Sequence, residues 1–219
     1  MIIKRIAIRR GKVNAIIFEG YTADIGEKSD DGGLLLDRAL CESEGLAAGQ
    51  DISEARLEAL VHASACRRAR SRAIWLLDSR DYTQKGMYDK LRRLYGDSAA
   101  NDAASYCAEI GLIDDERFAE RLAYSMSERG ISDREAVRRL IAKGVPRDIA
   151  QNAVSEVQSD PAAQLAEIIS KKYAARLMTG DRKEIEKVVA ALARKGFGFG
   201  DIRAAISAFA DTDNIMYED

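Results

Sequence analysis

The chain has 219 residues, of which 47% are hydrophobic and 32% are charged, with a formal net charge of -2. This composition excludes a largely disordered chain and allows one hydrophobic core or a short row of small cores, so two domains and one elongated body both fit. Three scattered cysteines argue against a disulfide framework, and no run approaches the roughly 18 apolar residues of a membrane span. Charge interrupts the first six residues too early for a signal peptide, so we expect a cytoplasmic protein without a membrane partner.

Residues 1 to 50 predict a small antiparallel β region. The β-branched runs from Ile2 to Arg9 and from Val13 to Phe18 are joined at Arg10-Gly11-Lys12, which is typical of a hairpin. A second turn signal, Asp30-Asp31-Gly32-Gly33, precedes three leucines that are candidates for a third strand.

From Ser53 onward the sequence predicts nine helices, because apolar residues recur every three or four positions between marked ends. Predicted N-terminal caps are Ser53 and the pair Asp160-Pro161, with reciprocal capping boxes from Ser132 to Glu135 and from Asp181 to Glu184. Glycines at positions 96, 111, 130, 144, 180 and 196 fall where helices end. The predicted helices cover residues 53–80, 83–95, 98–110, 114–129, 132–143, 146–157, 160–178, 181–194 and 200–210.

One phrase recurs three times between helices and indicates an internal repeat. It reads Leu91-Arg92-Arg93-Leu94-Tyr95-Gly96, Leu140-Ile141-Ala142-Lys143-Gly144-Val145 and Leu192-Ala193-Arg194-Lys195-Gly196-Phe197. Its glycines lie 48 and 52 residues apart, and a unit of that length must stack on its neighbours to bury its apolar face. We therefore predict a mainly α fold of three tandem three-helix repeats in an elongated array, after a small N-terminal antiparallel β region. The predicted boundaries are 1–50, 53–112, 113–158 and 159–211, with an acidic tail at 212–219.

The sequence gives little support for catalysis. His62 is the only histidine, so Ser/His or Cys/His pairs beyond it and His-rich metal sites are excluded. The acids Asp114-Asp115-Glu116 are interpreted as a helix cap with favourable dipole charges rather than as a metal site. Residues 196 to 200, Gly-Phe-Gly-Phe-Gly, lack the Lys-Ser/Thr ending of a phosphate-binding loop and predict a turn with two aromatic anchors. We expect a binding protein without catalytic residues, metal or cofactor.

Basic residues are concentrated in blocks, which favours binding to an anionic partner. Residues 65 to 95 hold nine Lys/Arg and three Asp, whereas residues 96 to 136 hold ten acids and four Arg. A basic cluster at the end of the second helix of each repeat would form a line of contacts to phosphates. The alternative is that cations near helix C-termini only complement the helix dipole, at about 0.3–1 kcal/mol each. The candidate contact residues are Arg67, Arg68, Arg70, Arg72, Lys90, Arg92, Arg93, Arg138, Arg139, Lys143, Arg194 and Lys195.

Three tyrosines, Tyr82, Tyr88 and Tyr95, lie among these charges. Tyrosines in such positions can stack on nucleic-acid bases. Tyrosines at helical spacing are more often core residues whose hydroxyl reaches water.

The run from Gly111 to Ala119, Gly-Leu-Ile-Asp-Asp-Glu-Arg-Phe-Ala, together with the second and third copies of the repeated phrase, resembles the RecX family of RecA regulators. The resemblance covers residues 53 to 210 and implies tandem three-helix repeats that form a curved body. It also implies a non-enzymatic protein that binds the RecA filament within its helical groove. Such a protein modulates the strand exchange, ATPase and coprotease activities of RecA in recombinational repair and the SOS response. We expect inhibition, although stimulation would need the same binding surface.

The chain departs from the family pattern in two ways, and two other functions remain as alternatives. The first repeat has Leu94-Tyr95-Gly96 where a Lys-Gly pair is usual, and the N-terminal sheet is an addition that shorter members lack. We expect a monomer that contacts the RecA filament and single-stranded or duplex DNA through its basic patches. The alternatives are a helix-turn-helix regulator that binds particular duplexes as a symmetric dimer, and a helical adaptor for another protein.

Overall fold

A computed structural model describes residues 1–9, 13–19, 26–157 and 160–216. They form a mainly helical protein with a small N-terminal antiparallel sheet, as predicted, in two compact units, Met1–Ile113 and Asp114–Asp219. No helix within these ranges is both long and apolar enough to cross a membrane. The first unit contains β1 (Ile3–Ile8), β2 (Val13–Phe18), β3 (Leu34–Asp37), α1 (Arg38–Ser43), α2 (Glu54–Leu77) and α3 (Gln84–Glu109). The second contains α4 (Asp115–Glu128), α5 (Asp133–Ala142), α6 (Arg147–Glu156), α7 (Pro161–Ile168), a π-helical segment (Ile169–Tyr173), α8 (Ala174–Leu177), α9 (Arg182–Arg194) and α10 (Phe199–Met216).

The three strands form an antiparallel sheet in the order β1-β2-β3. The predicted hairpin turn, Arg10 to Lys12, lies outside the described residues, but the second turn is present, with Gly32 N donating to Ser29 O at 2.8 Å. The third strand exists and leads directly into α1, whose first turn is capped by the Asp37 carboxylate. Helix α1 was not predicted, because six residues are too few to show a helical period.

Two hydrophobic clusters hold the first unit together. Leu57 and Leu60 of α2 pack with the buried leucines and isoleucines of the sheet. Further along α2, Ala69 and Ala73 face the alanine-rich second half of α3, and such small side chains let two helices approach closely. Helix α3 comprises two helical segments that meet at Gly96, whose φ of 80° and ψ of 168° interrupt the helix at the predicted position.

The second unit contains two helical clusters that use the repeated phrase in the same way. Leu140 in α5 and Leu192 in α9 are fully buried, and the residues after the glycines, Val145 and Phe197, are also buried. The backbone N of Val145 donates to Leu140 O at 3.1 Å, and that of Phe197 donates to Leu192 O at 3.4 Å. This bond across a glycine with positive φ is the Schellman arrangement, in which the residue beyond the glycine also packs on the helix end.

Two expectations about the third repeat were wrong. Phe199 is 62% exposed, so only Phe197 anchors the glycine-rich turn. Helix α10 begins at that exposed phenylalanine and continues to Met216, past the predicted end at residue 210.

The capping residues were predicted correctly, but the reciprocal half of each capping box is wrong. Ser132 accepts from Glu135 N at 3.4 Å, yet Glu135 turns its carboxylate to two arginines instead of to the Ser132 backbone. Likewise, Asp181 accepts from a backbone N–H, while the Glu184 carboxylate pairs with Lys187 at 2.6 Å. The backbone N–H groups of both cap residues bind other acceptors, and that of Asp181 donates to Thr179 Oγ1 at 3.3 Å.

At the start of α5, the acceptor for the Ser132 backbone N–H is a backbone carbonyl at the end of α9. Ser132 N donates to Lys195 O at 3.0 Å, and the Lys195 ammonium donates to Arg129 O. Gly196 lies against Ser132 and Glu135 so closely that an added Cβ would stand within 3.0 Å of both. We call this contact the α5–α9 junction, formed by Ser132, Glu135, Lys195 and Gly196.

We expect Gly196→Ala to destabilise the protein by about 2–4 kcal/mol, because a left-handed φ of 95° and a collision with Ser132 act together. Gly180→Ala is the matched control, since Gly180 has a φ of 64° and nothing within 4 Å of an added Cβ. It should cost only about 1–2 kcal/mol. Urea unfolding of the two variants checks this, and equal losses would mean that the α5–α9 junction tolerates a side chain.

Candidate nucleic-acid interface

Three of the four candidate arginines on α2 donate to carboxylates that lie far away in the sequence: Arg67 to Asp37 at 3.1 Å, Arg68 to Glu27 at 2.7 Å and Arg70 to Asp102 at 2.7 Å. The Arg70 pair is bidentate, and this donation lowers the pKa of Asp102. These charges are therefore largely neutralised within the first unit.

Arg72 differs from the other three. Within the described part of the chain no carboxylate pairs with it, and its guanidinium carbon lies 4.1 Å from the centroid of the Trp75 ring. Trp75 is the only tryptophan in the chain and is 57% exposed. Trp75 was not among the residues predicted for contact, because a single aromatic near the end of a long helix is usually a core residue.

The candidate cations of α3, Lys90, Arg92 and Arg93, are exposed. Among the described residues none of them forms an ion pair, and Arg92 lies 5.8 Å from the ring centroid of Tyr88. The Tyr88 hydroxyl donates to Asp97 at 2.7 Å, which raises the pKa of Tyr88. These three cations therefore face solvent with their charge intact.

The tyrosines Tyr82, Tyr88 and Tyr95 are half-buried and pack against the core of the first unit. The interpretation of these residues as core tyrosines is therefore confirmed. Each also has an arginine near its ring: Arg80 for Tyr82, Arg92 for Tyr88 and Arg68 for Tyr95.

In the second repeat two candidate arginines share one carboxylate. Arg138 donates to Glu135 through Nε at 2.6 Å and a terminal nitrogen at 2.7 Å, and Arg139 Nε donates at 2.7 Å. Glu135 is buried, and these bonds, Arg138 first, hold its pKa at about 2. Lys143 is exposed and closes the C-terminal end of α5 with its backbone.

The two candidates of the third repeat have different surroundings. Arg194 is exposed and its Nε donates weakly to Ala190 O at 3.3 Å. Lys195 is half-buried at the α5–α9 junction, and its pKa is lowered by burial and by the nearby cations Lys172 and Arg139. The structure thus gives Lys195 a packing role and brings it close to Arg139.

Two further arginines were missed by the sequence analysis. A groove of about 510 Å³ between α5 and α6 is lined by Arg134, Arg138 and Arg147, with Val137 and Ile141 among its apolar residues. Arg134 lies four residues before the candidate Arg138, so both are on one face of α5. This spacing is the sequence signal that identifies Arg134.

Asp114 and His62 are residues that the sequence analysis considered for metal binding and catalysis. Asp114 caps α4, accepting from Arg117 N at 2.9 Å, so the cap interpretation is confirmed. His62 is exposed, with Nε2 3.6 Å from Cys66 Sγ. Across the residues that the structure describes, no three His, Cys, Asp or Glu side chains are grouped to hold a metal ion.

Comparison with known proteins identifies the family. The chain is 30% identical over 146 residues to "Regulatory protein RecX" of Halorhodospira halophila, which covers 66% of this chain and 89% of the relative. The chain belongs to the RecX family. A second RecX, from Vibrio vulnificus, is 31% identical over 136 residues, covering 62% of this chain and 88% of that protein. The family model for the third three-helix domain of RecX matches residues 158–206.

Two solved RecX structures support the fold. A crystal structure of regulatory protein RecX covers 93% of this chain and 98% of its own, with a TM-score of 0.60 and 18% identity. RecX from Lactobacillus salivarius covers 68% of this chain and 98% of its own, with a TM-score of 0.55 and 22% identity. Because the first match covers 93% of this chain, the shared RecX fold extends beyond residues 53 to 210.

We expect Glu135→Gln to destabilise the protein by about 2 kcal/mol at pH 7, a value reduced for the 72% exposure of the Arg138 side chain. A carboxyl with a lowered pKa stabilises the fold above its ordinary pKa of 4.5 and loses this effect as the pH falls toward about 2. The difference between wild type and variant in urea unfolding should therefore shrink from pH 6 to pH 3.

Glu167→Gln serves as the control, because Glu167 forms an exposed helix-surface pair with Lys171. Its removal should change stability little at any pH. A difference between Glu135→Gln and wild type that stays constant from pH 6 to pH 3 would contradict the assignment of the effect to the Glu135 charge.

Proposed function

We propose that this RecX protein binds the RecA–DNA filament and inhibits the recombinase, ATPase and coprotease activities of RecA during DNA repair and the SOS response. Membership of the RecX family is the observation that carries this proposal. The protein acts in the cytoplasm as a monomer and performs no chemistry itself. By occupying the filament groove it blocks the second DNA strand and hinders the subunit motions that accompany ATP hydrolysis.

The candidate cations for which the described residues provide no carboxylate partner are the direct phosphate contacts of this proposal. They are Arg72, Lys90, Arg92, Arg93 and Arg194. A phosphate that binds one of them displaces no existing ion pair. Arg67, Arg68, Arg70, Arg138 and Arg139 must first release or share a carboxylate, which costs up to about 1 kcal/mol for an exposed pair and more for the pair at buried Glu135.

The first test is the DNA-dependent ATPase rate of RecA on single-stranded DNA as the protein is added, measured beside its binding to the bare strand. We expect the rate to fall at less than one molecule per RecA subunit. An unchanged rate with tight binding to particular duplexes would favour the helix-turn-helix regulator. An unchanged rate with no nucleic-acid binding at low salt would favour the adaptor.

A charge-reversal variant tests the phosphate contacts. Lys90→Glu with Arg93→Glu should weaken DNA binding and reduce the slope of log affinity against log salt by about 0.7 per lost contact on single strands. Both side chains are exposed at i, i+3 positions of α3, so the fold should be unaffected. Lys4→Glu with Lys183→Glu makes the same charge change at two other exposed lysines and is the control.

The control should keep nearly wild-type affinity, since its lysines lie on β1 and at the start of α9. Equal weakening of the two double variants would indicate an effect of net charge alone. The assignment of Lys90 and Arg93 as phosphate contacts would then fail, while the ATPase result would still decide the proposed function.

A further inference from the structure

Five arginine–aromatic pairs in the described ranges all lie in the first unit: Arg68 with Tyr95, Arg70 with Tyr106, Arg72 with Trp75, Arg80 with Tyr82 and Arg92 with Tyr88. In four of them the ring is a tyrosine that packs against the core of this unit. Trp75 belongs to no buried cluster and is 57% exposed. Of these five rings, the tryptophan is therefore the one that is largely accessible.

The position of Trp75 on α2 explains this exposure. Arg68, Arg72 and Trp75 follow one another at intervals of four and three residues, so they share one face of the helix. Just beyond the end of α2, Ser79 is also exposed, and its hydroxyl donates to Leu76 O at 2.8 Å. The buried residues Ala73 and Leu76 face the core instead.

Arg72 supplies both a flat surface and a charge. Its guanidinium stands 4.1 Å from the Trp75 ring centroid, where it stacks by cation–π attraction. Unlike its neighbours Arg67, Arg68 and Arg70, it has no carboxylate partner among the described residues. Its charge is therefore available to an incoming anion while the indole presents an apolar face.

We propose that Trp75 and Arg72 form a stacking site for one unpaired base of single-stranded DNA, with Arg72 binding the adjoining phosphate. An indole stacks on any base, because every base has a π face. A duplex does not offer such a face, since its bases are already stacked in pairs. The site rests on the proposed function, because it specifies how the bare strand is held.

An unpaired base fits this pair better than a protein partner does. A protein contact of this size would need several surrounding apolar residues, and here the exposed neighbours Ser71, Asp78 and Ser79 are polar, beside the one exposed apolar neighbour Ile74 at 39% among the described residues 71–79. A single aromatic with one unpaired arginine provides what one nucleotide needs, a stacking surface and a cation.

Because Trp75 is the only tryptophan in the chain, its intrinsic fluorescence reports directly on this site. Titration of the full-length protein with an oligothymidylate should quench Trp75 fluorescence in a saturable way, whereas an oligonucleotide of equal length without bases should leave it nearly unchanged. Equal quenching by both would overturn the stacking site, because it would show that phosphate alone causes the change.

Variants separate stacking from charge. Trp75→Ala should weaken binding of the oligothymidylate at least about fivefold without changing the salt slope. Arg72→Gln should lower that slope by about 0.7. The matched control is Tyr124→Ala on α4, since Tyr124 is 61% exposed and should be neutral. Thermal unfolding confirms that each variant is folded.

The same variants distinguish this proposal from the function on which it rests. If Trp75→Ala binds the bare strand like wild type, the stacking site is wrong even when the protein still slows the RecA ATPase. If Trp75→Ala binds the strand normally but loses affinity for the filament, Trp75 contacts protein, which also overturns the proposal. Base-dependent quenching without any effect on RecA would leave the stacking site in place and remove the proposed function.

Discussion

The structure depends on how the second helix of each later repeat is closed. The glycine after α5 and after α9 adopts a positive φ, and the following apolar residue donates back to a buried leucine carbonyl. One residue thus satisfies a backbone carbonyl and fills the core at the same point, so the helix end and the repeat core form together. In the first repeat Gly96 has an extended ψ and joins two segments of α3 instead.

The sequence was sufficient for features that depend on neighbours along the chain. Helix ends, the caps at Ser53, Asp114 and Asp160 and the buried leucines of the repeated phrase all follow from local chemistry. The partners of the candidate cations do not, because Arg67 and Arg70 bind carboxylates 30 or more residues away. The exposure of Trp75 likewise depends on which face of α2 the rest of the unit covers.

The ion pairs reduce the number of basic residues that are available to bind an anionic partner. A count of charges makes α2 the strongest anion site, yet three of its four candidate arginines are already bound to acids of the same unit. Internal pairing of this kind reduces attraction to a polyanion, while a few cations keep no carboxylate partner among the described residues. Selectivity for a shaped partner over bulk nucleic acid then depends on the geometry of those few cations rather than on net charge, which is -2.

The α5–α9 junction has a consequence for observing the protein in solution. A backbone amide at a helix N-cap usually exchanges its hydrogen with water quickly, whereas Ser132 N is buried and donates to Lys195 O. Deuterium uptake at that single amide therefore reports how often the last repeat separates from the middle one. Because the bond joins backbone atoms, the same amide can be followed in variants that alter the surrounding side chains, and its exchange rate measures how strongly the two repeats are coupled.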